Sequence, residues 1–173
     1  KEADKVLNES LNNLLSEKKR KYLETIKNTF QKNPKQTFEN RYEVFLAKFT
    51  YDSNAIEGNT IDLKETSYIL FENKTPQGKS LREINEVLNH KEAFDFMLGY
   101  NKDITKEFIC QIQEKIVQKT LRKDLEDQIG KYRAVQVYIR GTEFIPTVTQ
   151  EVPMEMRSLI RWYNQNKTKL HPL

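Results

Sequence analysis

Ser53-Asn54-Ala55-Ile56-Glu57-Gly58-Asn59 reads as the end of a helix, and the manner of that ending organises the rest of the chain. Ser53 and Glu57 stand four positions apart, so on a helix they share one face. Gly58 supplies the left-handed turn that closes a helix at little cost, and Asn59 is the next most permissive residue type for such geometry. Glu57 is thereby predicted to project from the last turn. A carboxylate there meets the negative end of the backbone dipole, which is mildly unfavourable unless a cation or a function compensates.

Upstream, Phe45, Leu46, Phe49 and Ile56 form an apolar stripe on the same helix, which Pro34 and Thr37 delimit at its start. From Glu2 to about Asn33 no Gly or Pro interrupts a run in which Val6, Leu7, Leu11, Leu14, Leu15, Tyr22, Leu23, Ile26 and Phe30 recur near helical spacing. This predicts a helical arm over 1–35. Its Lys18-Lys19-Arg20-Lys21 run reads as a solvated face rather than a phosphate site. Downstream, Thr60 or Asp62 caps a helix from Leu63 to Glu72, and Pro76 with Gly78 marks a loop. Ser80 and Glu83 have capping-box spacing ahead of Leu81, Ile84, Val87, Leu88, Phe94 and Leu98. Thr105 opens another helix carrying Phe108, Ile109, Ile112 and Ile116, and Val152-Pro153 starts a last one with Met156, Leu159, Ile160 and Tyr163 on its inner side.

Between Gly130 and Pro146 the period changes. Val135, Val137 and Ile139 alternate with Gln136 and Tyr138, and Arg140-Gly141-Thr142 offers a turn before Glu143-Phe144-Ile145. A β-hairpin is predicted over about 132–146. In a helical chain its free edge is available to an extended peptide through main-chain hydrogen bonds, and a purely structural flap is the competing reading. The fold class expected is therefore all-α, mainly a helical bundle, with one β-hairpin flap.

Bulk properties agree with helix dominance: 37% hydrophobic, 31% charged and five glycines in 173 residues. Basic and acidic residues, 29 against 25, are interspersed, so the charge of +4 does not demand a nucleic-acid partner. The single cysteine, Cys110, cannot form an internal disulfide and suits a reducing compartment, the cytoplasm being the simplest. No apolar run is long enough to span a membrane. Glycine-rich phosphate loops and the HExxH metal motif are absent, and His90 and His171 lack the neighbours that a metal site or catalytic triad requires. These residues alone demonstrate no catalysis.

Ser53-x-x-x-Glu57-Gly58 resembles the inhibitory motif, (S/T)-x-x-x-E-(G/N), of Fic-domain proteins. The likeness continues through Ile61-Asp62-Leu63-Lys64-Glu65-Thr66 and through Gly78-Lys79-Ser80-Leu81-Arg82-Glu83-Ile84-Asn85-Glu86-Val87. Gly130-Lys131-Tyr132-Arg133-Ala134-Val135-Gln136-Val137 is similar to the segment leading into the family's flap, and Leu170-His171-Pro172-Leu173 to the helix before its active site. The resemblance covers roughly 40–173, so 36–173 is expected to be a Fic-like domain with its inhibitory helix over about 38–57. The family signature, H-x-F-x-(D/E)-G-N-G-R-x-x-R, is not in this sequence, and the catalytic loop is expected beyond Leu173.

What the resemblance implies is an autoinhibited protein adenylyltransferase. Such an enzyme moves AMP from ATP to a target hydroxyl, with Mg²⁺ held by residues outside this chain. Glu57 would pair with a signature arginine and occupy the place of the γ-phosphate, and Ser53 would hold its carboxylate. Ile139, Arg140, Gly141 and Thr142 would approach the nucleotide, and Val135, Gln136 and Val137 would dock the target segment. Leu81, in the helix that pairs subunits in several relatives, suggests a homodimer, but plain core packing is the favoured reading for it. The competing function is a non-catalytic helical interaction module, or a Fic-type regulator fused to a DNA-binding domain.

Overall fold

Gly58 and the residues that follow it close a helix of 22 residues. The computed structural model describes residues 16–31, 35–139 and 141–168, the side chains of 30–39 excepted. The helices are α1 (Glu17–Gln31), α2 (Lys35–Ile56), α3 (Leu63–Glu72), α4 (Leu81–Gly99), α5 (Lys106–Val117) and α6 (Val152–Asn166), with a 3₁₀ helix at Lys123–Gln128 between the last two. Residues Tyr42–Ile160 form one compact unit; the described residues on either side of it belong to a second. The expected residues Val6 to Leu15, Arg140 and Leu170 to Leu173 lie outside the described residues.

The helix starts follow the local chemistry. Asp62, not Thr60, caps α3: it accepts from the Glu65 N–H at 2.7 Å while the Glu65 carboxylate accepts from the Asp62 N–H at 2.9 Å. Ser80 and Glu83 make the same reciprocal pair on α4, and the Thr105 hydroxyl caps α5 through the Phe108 N–H at 3.2 Å. In the second unit Lys18, Lys19 and Lys21 are exposed, Arg20 is half-buried, and Lys21 pairs with Glu17 at 3.3 Å.

Helix α4 packs against α3 and α5. Its contact with α2 is largely aromatic: Phe94 lies 5.8 Å from Phe45 and 5.6 Å from Phe49, centroid to centroid. The buried cluster is Leu46, Ile61, Ile69, Leu70, Ile84 and Val87, with Tyr42 and Phe94 packed on it. On α2 the buried positions are Leu46, Ala47 and Thr50. Phe45, Phe49 and Ile56, expected on the inner stripe, are 54%, 39% and 83% exposed. Leu81, expected to pack in the core, is instead 78% exposed.

The expected β-hairpin is absent: no strand occurs among the described residues. Residues around 132–148 still double back, with the turn at Gly141 (φ +81°), but side chains take the place of a ladder. The Arg133 guanidinium donates to the Val135 carbonyl at 2.9 Å, to the Thr149 hydroxyl at 3.2 Å and to the Thr147 carbonyl. The Gln136 amide donates to the Pro146 carbonyl at 3.1 Å. Pro146 has no N–H to return, and carbonyls claimed by guanidinium and amide groups leave cross-strand N–H donors without partners in register. Alternation read from the sequence is real as an alternation of faces, but it does not become a sheet.

Candidate functional site

The Glu57 terminus is closed by two backbone bonds. The Asn59 N–H reaches the Asn54 carbonyl and the Gly58 N–H reaches the Ala55 carbonyl, each at 3.0 Å. With Gly58 at φ +91° this is the Schellman arrangement, in which a left-handed residue satisfies carbonyls that the helix leaves open. Glu57 is the last residue before that turn, as its position in the sequence predicts.

The segment beyond the turn is then fixed to α4. The Asn59 side-chain amide donates to the Glu83 carbonyl at 3.0 Å and to the Glu86 carboxylate at 2.9 Å, while its oxygen accepts from the Ile61 N–H at 2.9 Å. Thr60 gives both its N–H, at 3.0 Å, and its hydroxyl, at 2.6 Å, to one oxygen of Glu83. The other oxygen accepts from the N–H and hydroxyl of Ser80, at 3.0 and 2.8 Å. Lys79 completes the junction, donating to the Thr60 carbonyl at 2.6 Å and lying 3.4 Å from Glu65.

Four donors on one carboxylate hold Glu83 ionised. The Thr60 hydroxyl first, then the Ser80 groups and the Thr60 N–H, lower its pKa from the ordinary 4.5 to about 2. A carboxylate whose folded value is depressed stabilises the fold above its unfolded value, and that contribution disappears as pH falls from 4.5 toward 2. Acid unfolding followed by circular dichroism is expected to show this loss in the unaltered protein, and Glu83→Gln is expected to flatten the profile over that window. An equally steep profile in both would show that Glu83 is not the group responsible.

Glu57 itself is exposed, and no described residue pairs with its carboxylate. Ser53, one turn earlier, is half-buried, and the structure shows no Ser53–Glu57 hydrogen bond. Ile139, Gly141 and Thr142 are exposed, and Arg140 lies outside the described residues. Val135 and Val137 share a face and line a cavity of about 360 Å³ with Ile109, Cys110, Leu125 and Met156, whereas Gln136 turns away to bond Pro146. Glu57 does not line that cavity, nor do the residues at the flap tip. The predicted nucleotide contacts therefore do not meet at this cavity. No group of three or more His, Cys, Asp or Glu converges among the described residues.

Two polar pairs leave no local sign in the sequence. Thr50, fully buried on α2, meets His90 Nδ1 of α4 at 2.9 Å, and burial lowers the His90 pKa below its ordinary 6.5. Asn89, also buried, donates to the Ile116 and Gln118 carbonyls at the end of α5. The only local sign of the Asn59 tether is its place after the helix-closing glycine, since an Asx side chain there readily bonds the N–H two residues on.

No family model matches the chain. It is 30% identical over 128 residues to Protein adenylyltransferase Fic of Nematostella vectensis, an alignment covering 71% of this chain and 29% of that protein. It is 32% identical over 129 residues to the protein of the same name from Drosophila melanogaster, covering 71% and 25%. Its fold matches the crystal structure of a Fic domain containing signaling protein from Bacteroides thetaiotaomicron with a TM-score of 0.77 and 24% identity, over 88% of this chain and 59% of that one. The chain thus spans under a third of the length of these curated relatives. On these likenesses the chain belongs to the Fic-domain family.

Proposed function

We propose that the complete protein is an adenylyltransferase restrained by Glu57. In the reaction a target hydroxyl oxygen bonds to the α-phosphorus of ATP, the bond from that phosphorus to the β-bridging oxygen breaks, and pyrophosphate leaves. The hydroxyl proton goes to a base outside this chain. The name shared by the relatives supports the reaction class. One observation carries the restraint: an exposed carboxylate without a described partner sits on a helix terminus that is itself rigidly closed and tethered. A free anion on a fixed mount suits a position opposite a triphosphate. There it takes the arginine that the γ-phosphate needs and repels the phosphate itself.

Glu57→Gly in the complete protein removes that charge. Hydrogen bonds to charged groups contribute about 1.5–3 kcal/mol, so AMP incorporation from labelled ATP is expected to rise roughly tenfold to a hundredfold. Unchanged labelling in the variant sinks the inhibitory role, and no labelling by either protein favours the interaction module instead.

The flap is the proposed target-docking element even without a ladder. Val135, Gln136 and Val137 are the residues proposed to meet the target segment, with Val135 and Val137 exposed, and Ile139, Arg140, Gly141 and Thr142 those proposed to approach the nucleotide. Val137→Pro deletes one N–H that a docked peptide would use. Target modification is expected to fall several-fold with ATP affinity unchanged, and equal loss of both refutes docking. The exposed Leu81 side chain fits a homodimer contact at the start of α4, which sedimentation of Leu81→Asp against the unaltered protein tests: identical masses exclude it.

A further inference from the structure

The restraint proposed for Glu57 depends on where its carboxylate is held, and Gly58 alone cannot hold it. A glycine in the left-handed region ends a helix but leaves the following chain free to swing, and nothing lies within 4 Å of where its Cβ would be. Direction comes from what the chain does next. Every polar group of the Asn59 side chain is engaged there. One amide nitrogen bridges the Glu83 carbonyl and the Glu86 carboxylate of α4, and the oxygen receives the Ile61 N–H. Its own N–H closes α2 on the Asn54 carbonyl. Asn59 is therefore the residue at which the end of α2 and the first turns of α4 are joined, two positions from Glu57.

We infer that Asn59 is a positioning residue for the Glu57 carboxylate, setting its direction by tying the terminus of α2 to α4; the inference rests on the inhibitory reading of Glu57. The geometry requires both ends of the amide. The Glu86 carboxylate also accepts from Arg82 at 2.9 Å, so a donor suits the nitrogen position, while the Ile61 N–H requires an acceptor at the oxygen position. Asparagine supplies both on the shortest side chain. Aspartate keeps the acceptor but sets a second carboxylate against Glu86. The neighbouring Thr60–Glu83 bonds keep the loop attached to α4 when Asn59 is removed, so the expected change is loss of direction rather than loss of the junction.

The test measures AMP incorporation from labelled ATP by the complete protein. Asn59→Ala is expected to raise incorporation about fivefold to tenfold, toward the level of Glu57→Gly. Glu57→Gly with Asn59→Ala is expected to equal Glu57→Gly alone, which shows that the fold survives and that the two residues act through one restraint. Asn59→Asp is expected to release the restraint as alanine does, because its second oxygen faces the Glu83 carbonyl and the Glu86 carboxylate, neither of which can donate to it. A merely structural asparagine lowers activity or leaves it unchanged. If Glu57→Gly raises incorporation while Asn59→Ala does not, the positioning role is overturned and the function of Glu57 stands; if Glu57→Gly raises nothing, the inhibitory reading fails and this inference with it.

Discussion

Leu46→Ala is expected to lower the unfolding free energy by about 2–5 kcal/mol, the range for removing three buried carbons and leaving a partly collapsed cavity. Leu46 is fully buried at the centre of a cluster whose other members come from the loop after α2, from α3 and from α4: Ile61, Ile69, Leu70, Ile84 and Val87. These form one contiguous set that carries most of the burial among the described residues, so the loss belongs in the upper half of that range. Urea titration checks it: the midpoint falls while the slope stays unchanged, since the native surface hardly alters. A shift under ~1 kcal/mol would show that the cluster is not the organising core. The control lies on the same helix. Ile56→Ala, at 83% exposure, is expected to fall within about 0.5 kcal/mol of the unaltered protein. Leu46 lies on the helix that ends at Glu57, so its truncation also loosens the element that carries the carboxylate.

The difference between those two positions shows where the sequence is legible. Local chemistry reads well. The Ser80–Glu83 box, the Thr105 cap, the Gly58 closure and the Val152 start are all decided by residues within a turn of one another, and the structure has each of them. Asp62 rather than Thr60 caps α3 because the Thr60 hydroxyl is committed to Glu83, 23 positions away, which no local rule reveals. The apolar stripe of α2 identifies a helix, but only Leu46 of its four named members is buried, since the inner face is set by α4 and includes the polar Thr50. Phe45 and Phe49 lie across the rim of that face on Phe94 and remain partly open.

The hairpin expectation fails for a related reason. Val135, Val137 and Ile139 alternate as a strand does, yet a strand needs a partner with free donors and acceptors, and Pro146 has no N–H while the Arg133 and Gln136 side chains occupy carbonyls. Pairing is a property of two segments, whereas alternation is a property of one. The candidate site divides the same way. Ser53, Glu57 and Gly58 form a local pattern and can be read directly. The Asn59 bonds to α4 span more than 20 positions and cannot.

Asn89→Leu is expected to be nearly as damaging as the core truncation, although it adds apolar volume to a buried position. The Asn89 amide donates to the Ile116 carbonyl at 3.1 Å and to the Gln118 carbonyl at 2.6 Å. Carbonyls in the last turn of a helix have no partner within it. Helix α5 ends at Val117, and the chain then turns through Lys119 at φ +61°, so no following turn of helix supplies the missing donors. A lost hydrogen bond costs about 0.5–1.5 kcal/mol, more where the acceptor is cut off from water, and two are lost at once. The exposed Lys115–Glu92 pair, at 2.7 Å with side chains 27% and 51% exposed, joins the same two helices but is worth under ~1 kcal/mol. Lys115→Ala therefore shifts the urea midpoint little and Asn89→Leu shifts it strongly. Hydrogen exchange distinguishes the mechanism from a general loss of packing: Asn89→Leu should deprotect the end of α5 and the turn into the 3₁₀ helix before the Leu46 cluster opens. Uniform deprotection would mean that Asn89 serves the core as a whole rather than closing α5.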